Sequence, residues 1–89
     1  MLKKINLESC FKHAIEKGYN YLGVVVKVDE NHRELIVNTK NNFQSKLKYY
    51  KLAYDENLNH NIANEMSITD FTYGNTLADI ENKLKKNFI

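Results

Sequence analysis

The chain has 89 residues, 43% hydrophobic and 27% charged, and its thirteen Lys+Arg against eleven Asp+Glu leave a formal net charge of +2. That length holds one small domain, and that balance argues for a soluble globular chain, against disorder and against a strongly basic protein. The longest apolar run, Leu22-Gly23-Val24-Val25-Val26, falls far short of the ~20 residues of a membrane span, and the start Met1-Leu2-Lys3-Lys4 lacks the apolar stretch of a secretory leader.

The first segment reads as a helix. Asn6 is a good N-cap. Leu7, Cys10, Phe11, Ala14 and Ile15 follow at helical spacing and mark a buried stripe, with Glu8, Lys12, His13 and Glu16 on the other side. Gly18 is placed to end the helix in the left-handed conformation. A hairpin comes next, with strands at 21–28 and 33–39 joined by the polar turn Asp29-Glu30-Asn31-His32. On the first strand Leu22, Val24, Val26 and Val28 share one face, and Tyr21, Gly23, Val25 and Lys27 the other. On the second, Leu35, Val37 and Thr39 alternate with Glu34, Ile36 and Asn38.

A second helix starts near Asn41 or Asn42 and ends within 55–57, with Phe43, Leu47, Tyr50, Tyr54 and Leu58 as its buried stripe. The Asn-rich run 57–61 reads as a loop. A third strand covers 65–73. Its apolar residues change parity between Met66/Ile68 and Phe71/Tyr73, which predicts a bulge near Thr69-Asp70 or a strand apolar on both faces. After Gly74, Thr76 with Asp79 three residues on resembles a capping box. Leu77, Ile80, Leu84 and Phe88 stripe a final helix whose acids lie near its start and whose lysines lie near its end.

The order α-β-β-α-β-α predicts an α+β domain, a two-layer sandwich with a three-stranded sheet in the order 2-1-3 and helices packed mainly on one face. If all three helices cover one face, the other carries Tyr21, Val25 and Ile36. An apolar face of that kind implies a partner, a homodimer, or one helix on the opposite side.

Catalytic and metal-binding constellations are lacking in the residue pattern. The lone Cys10 excludes an internal disulfide and a Cys-rich zinc site, and it falls on the buried stripe, where a free thiol behaves as a small hydrophobe. His13, His32 and His60 have no second ligand at a metal-binding interval. The run Asp55-x-Asn57-x-Asn59 mimics the opening of a calcium loop, but His60 stands where the tight-turn Gly belongs and Met66 where the bidentate Glu belongs. Gly18, Gly23 and Gly74 are isolated, so no phosphate loop is present. The expectation is a protein that is not an enzyme and takes neither cofactor nor metal.

Two binding surfaces remain. With Phe43 at zero and ~100° per residue, Leu47, Tyr50 and Tyr54 stay within ~40°, whereas Tyr49 and Leu52 fall near ~240° and ~180° and look away from the sheet. An exposed Tyr-Leu pair on a helix can anchor a protein interface. Alternatively, Lys46, Lys48 and Lys51 interleave with Tyr49 and Tyr50, and Lys83, Lys85 and Lys86 crowd the C-terminus, a pattern that can serve nucleic-acid phosphates and bases. The near-neutral charge and the single Arg33 argue against that alternative.

Thirteen Asn, twelve Lys and seven Ile beside no Pro, no Trp and one Arg are the signature of an A/T-rich coding genome. Residues 42–58 (NFQSKLKYYKLAYDENL) and 68–81 (ITDFTYGNTLADIE) resemble small accessory proteins of phages and mobile elements of low-GC Gram-positive bacteria. The resemblance implies a cytoplasmic protein of the infected cell. Many such proteins bind and disable a host protein, including restriction, repair or CRISPR nucleases. It supplies no functional residue. The function expected is therefore non-catalytic contact with a host or phage protein through Tyr49 and Leu52, then Tyr21, Val25 and Ile36. Nucleic-acid binding and a homodimer paired through the sheet face are the alternatives.

Overall fold

The computed structural model describes residues 3–63 and 65–88, with the side chains of 85–88 excepted. Among these residues the chain forms α1 (Lys3–Lys17), β1 (Tyr21–Asp29), β2 (His32–Thr39), a 3-10 turn (Lys40–Asn42), α2 (Phe43–Ala53), β3 (Ser67–Gly74) and α3 (Leu77–Phe88). The predicted element order stands, and the antiparallel sheet runs β2-β1-β3 with the most apolar strand in the centre. No described helix is long and apolar enough to cross a membrane.

Helix α1 begins earlier than the sequence predicts, so Asn6 lies inside it and is not its cap. Its first turn is held from outside: the Lys4 N–H donates to the Glu56 carbonyl at 3.0 Å, and the Lys4 ammonium donates to the carbonyls of Lys51 and Tyr54. Leu7, Phe11 and Ala14 are buried, whereas Ile15 stands at the exposed edge of the predicted stripe. Gly18 takes φ +74° and ends the helix as predicted. The Gly18 N–H donates to Ile15 and the Tyr19 N–H to Ala14, the paired bonds of a Schellman motif.

The hairpin turns on Glu30 and Asn31 alone, with Asp29 opposite His32. That pairing, continued unbroken, would set Val25 opposite Ile36. Instead the register shifts between Lys27 and Asp29, and Val25 faces Leu35 while Ile36 faces Val24. A one-residue shift moves every later side chain to the other face of the sheet. Ile36 therefore joins the Leu22-Val24 face, not the Val25 face that the sequence predicts for it. In β3 the predicted bulge is present: Asp70 pairs with Val25 and Ile68 with Val26, leaving Thr69 as the extra residue.

The sheet is covered on both sides. Helices α1 and α2 close one face around Leu7, Phe11, Leu22, Val24, Phe43 and Tyr50. Helix α3 closes the other, where Ile80 and Leu84 bury Val25 and pack beside Tyr21, Leu35 and Val37. The third alternative for the Tyr21-Val25 face is thus the one realised, and a homodimer through an open sheet face loses its premise. The Thr76 hydroxyl accepts the Asp79 N–H at 3.1 Å, as the capping pattern predicts. Leu77, expected on the α3 stripe, is exposed; the side chain of Phe88 lies outside the described residues.

Helix α2 stops at Ala53, before the 55–57 end predicted. Four polar contacts explain the stop, since the last carbonyls of a helix need partners. Lys4 serves the carbonyls of Lys51 and Tyr54, the Asn61 amide serves Leu52 and the Asn61 N–H serves Ala53. Leu58 is buried as the stripe predicts, but in a loop and at φ +63°. The Asp55 carboxylate shapes that loop by accepting the N–H groups of Asn57 and Asn59, both at 2.9 Å.

Burial pushes the Cys10 thiol up to about 12, with the Asp70 carboxylate adding to the rise and Lys83 opposing it. Burial, then the neighbouring Tyr49 and Tyr50, pushes the Tyr54 phenol up to about 12. Burial also raises Tyr50, against a smaller opposing effect from the Asn38 amide. The unfolded chain therefore releases these protons at lower pH than the native one. The contribution of these groups to stability is fully present below pH 9.0, the ordinary thiol value, and is lost progressively as pH rises towards 12. Urea midpoints measured across that window should fall steadily; a flat midpoint would place these groups in solvent.

Candidate functional site

The outward half of α2 carries the candidate site. Phe43 and Tyr50 bury one side of the helix, with Leu47 half-buried beside them. Tyr49 and Leu52 face away, 48% and 71% exposed, where the helical spacing places them. Gln44, Ser45, Leu47, Lys48, Lys51 and Leu52 line an open, mostly apolar groove of ≈ 640 Å³. Leu52 stands in this groove. Tyr49 is not among the residues lining it; its ring is edge-on to Tyr50 at 5.3 Å, with the Lys46 ammonium 5.7 Å from its centroid.

The groove rests on a rigid support. Phe11 of α1 packs at right angles to Phe43, 6.0 Å between centroids, and tilted against Tyr50 at 5.8 Å. Lys51 reaches Glu8 of α1 at 3.4 Å. The Leu52 carbonyl is fixed by the Asn61 amide at 2.9 Å. Leu52 thus projects from a helix whose inner face, neighbour and end are all tied down.

Charge is divided unevenly. Helix α1 contributes Lys3, Lys4, Lys12 and Lys17 against Glu8 and Glu16, and the segment Lys40–Ala53 contributes Lys40, Lys46, Lys48 and Lys51 with no acid. The α1–α2 layer therefore carries eight lysines against two glutamates. From Asn20 to Thr39 and from Asp55 to Leu84 the balance reverses, with nine acids against Lys27, Arg33 and Lys83. With Lys85 and Lys86 added, nine acids still face five bases outside the layer, so near-neutrality of the whole conceals a basic helix layer and a less strongly acidic remainder.

Other sequence candidates fall elsewhere. Val25 is fully buried under α3 and Tyr21 is half-buried there, while Ile36 lies on the opposite sheet face, so the three form no exposed patch. Lys83 belongs to α3, across the sheet from α2. It donates to the Tyr73 carbonyl at 2.8 Å and approaches Asp79 at 3.9 Å. Lys46, Lys48 and Lys51 therefore do not combine with Lys83 into one surface. The side chains of Lys85 and Lys86 lie outside the described residues. His60 acts in its loop, its Nδ1 accepting the N–H groups of Ile62 and Ala63. His32 pairs with Glu34 at 2.9 Å.

Residue-by-residue spacing displays neither the groove nor the charge division. A signal for the charge division is present in the sequence: α2 contains no acid, and charges counted by layer separate where the total does not. No family model matches the chain, and no curated protein or solved structure matches it either.

Proposed function

We propose that this chain is a non-catalytic binding protein that acts by contact with another protein through the outer face of α2. The observation that carries this reading is Leu52, an apolar side chain 71% exposed on a braced helix and set in an apolar groove. Interface energy concentrates in a few anchors held on rigid elements, surrounded by contacts that exclude water. Tyr49, with Lys46 over its ring, is the second anchor on the same helix.

The resemblance to small phage and mobile-element proteins supports a setting in the cytoplasm of a bacterial host. Binding and disabling a host defence or nucleic-acid enzyme is the concrete form of action we propose there. The test compares the full chain with Leu52→Glu as baits in lysate of a low-GC Gram-positive host. A charge at this exposed site should change the melting temperature little, since surface substitutions fall within ~0.5 kcal/mol. The expected result is a protein retained by the parent chain and lost by the variant at equal stability. Identical captures would remove the α2 face from the function.

A further inference from the structure

We infer that the partner segment seated on α2 is acidic, with an apolar residue placed on Leu52 and carboxylates facing Lys48 and Lys51. This rests on the α2 face being the contact surface and specifies the chemistry of what it contacts.

Two independent features meet at one place. The groove, lined in part by Leu47 and Leu52, is mostly apolar and favours an apolar occupant. Lys48 and Lys51 line the same groove, and α2 offers no carboxylate of its own to balance them. Around this helix lies the basic α1–α2 layer described above. Lys51 has Glu8 at 3.4 Å as a partner; Lys48 has no ion pair among the described residues. A neutral apolar segment would cover Leu52 while leaving Lys48 beside a desolvated surface with no counter-charge, which is unfavourable. An acidic amphipathic segment satisfies both features and gains in encounter rate from the layer's charge. Eleven residues of α2 extend ~16 Å, the length of three turns of a partner helix.

Nucleic acid fits less well. A polyphosphate chain uses lysines but has no use for an exposed Leu52 beside them. Arg33, the one guanidinium, lies at the hairpin end of β2, whereas α2 follows the other end of that strand. Lys83 lies across the sheet.

The experiment is selection of random peptides of roughly 16 residues, enough to match the helix, displayed against the full chain, Leu52→Glu and Lys48→Glu/Lys51→Glu. Melting curves first establish that each bait is folded. The expected peptides are enriched in Asp and Glu around at least one large apolar residue. Their binding should drop roughly tenfold or more on Leu52→Glu and likewise on the double charge reversal. Peptides that need Leu52 but show no acidic enrichment would overturn the acidic assignment and leave the contact face standing. Absence of any Leu52-dependent peptide would overturn both. A labelled DNA duplex or single strand that binds the parent and Leu52→Ala alike but not the double charge reversal would assign the face to nucleic acid instead. Salt-sensitive self-association on light scattering, abolished by the double reversal, would make the occupant a second copy's acidic side.

Discussion

Phe11→Ala is expected to lower the unfolding free energy by ~3–5 kcal/mol, the usual loss for a fully buried aromatic. Phe11 has no solvent exposure and lies midway along α1. It touches both residues that α2 buries, Phe43 and Tyr50, in ring contacts of 6.0 and 5.8 Å. Truncation removes the transfer energy of the ring, leaves a cavity between two helices that are each anchored elsewhere, and forfeits aromatic pairs worth ~0.5–1.5 kcal/mol beyond area. A domain of this size has ~5–15 kcal/mol in total, so the melting temperature should fall by roughly 15 °C or more. Phe11→Leu keeps much of the volume and should lose distinctly less. Calorimetry or thermal circular dichroism checks both. A fall of a degree or two for Phe11→Ala would mean that α1 is not seated on α2, and the support inferred for the groove would go with it.

The contrast with Leu52 separates folding from function. Leu52 is as apolar as any core residue and shares a helix with Phe43 and Tyr50, yet it contacts solvent. Its truncation should leave stability within ~0.5 kcal/mol. An apolar residue that the fold does not use is free to serve contact, and the pair of measurements shows which residues fall in which class.

How far the sequence could be read follows from the range of the interactions involved. Local rules found local structure: Gly18 as a helix stop, Thr76 with Asp79 as a cap, Thr69 as a bulge, Tyr49 and Leu52 as outward residues. Each depends on a few neighbouring residues whose sterics and hydrogen bonds are short-ranged. Ile36 was misplaced because one residue at the hairpin end, near Val28, shifts the ladder and inverts the parity of β2. Nothing in the alternation of β2 itself reports that shift. The start of α1 and the end of α2 were misplaced for a related reason. Both are set by Lys4 reaching across to the α2 carbonyls, a contact between residues 47 and 50 positions apart. Which face α3 covers was likewise open, since an apolar stripe states that a helix is buried but not against which side. The groove emerges only once α1 has fixed the roll of α2.

Gly23 offers the sharpest test of that third placement. Glycine in the middle of a central strand lowers strand stability by ~0.5–1 kcal/mol relative to alanine, so a steric reason should exist. It does: a Cβ at Gly23 would run into the Ile80 Cγ2 and come within 3.2 Å of Leu35 and Leu84 Cδ1 atoms. Ile80 is fully buried and branched at Cβ, so it has little freedom to turn aside. Gly23→Ala should therefore lower stability by ~1–3 kcal/mol through overpacking, despite the gain in backbone propensity, and Gly23→Val by more. The decisive measurement is the cycle with Ile80→Ala. In that background the obstructing methyl is gone, and Gly23→Ala should become neutral or stabilising, a coupling of ~1–3 kcal/mol. Equal losses in both backgrounds would mean that α3 does not lie on Gly23, and the face holding Val25 would again be open. Because α3 and the α2 groove lie on opposite sides of the sheet, Gly23→Ala should leave peptide binding at the Leu52 face unchanged well below its melting temperature.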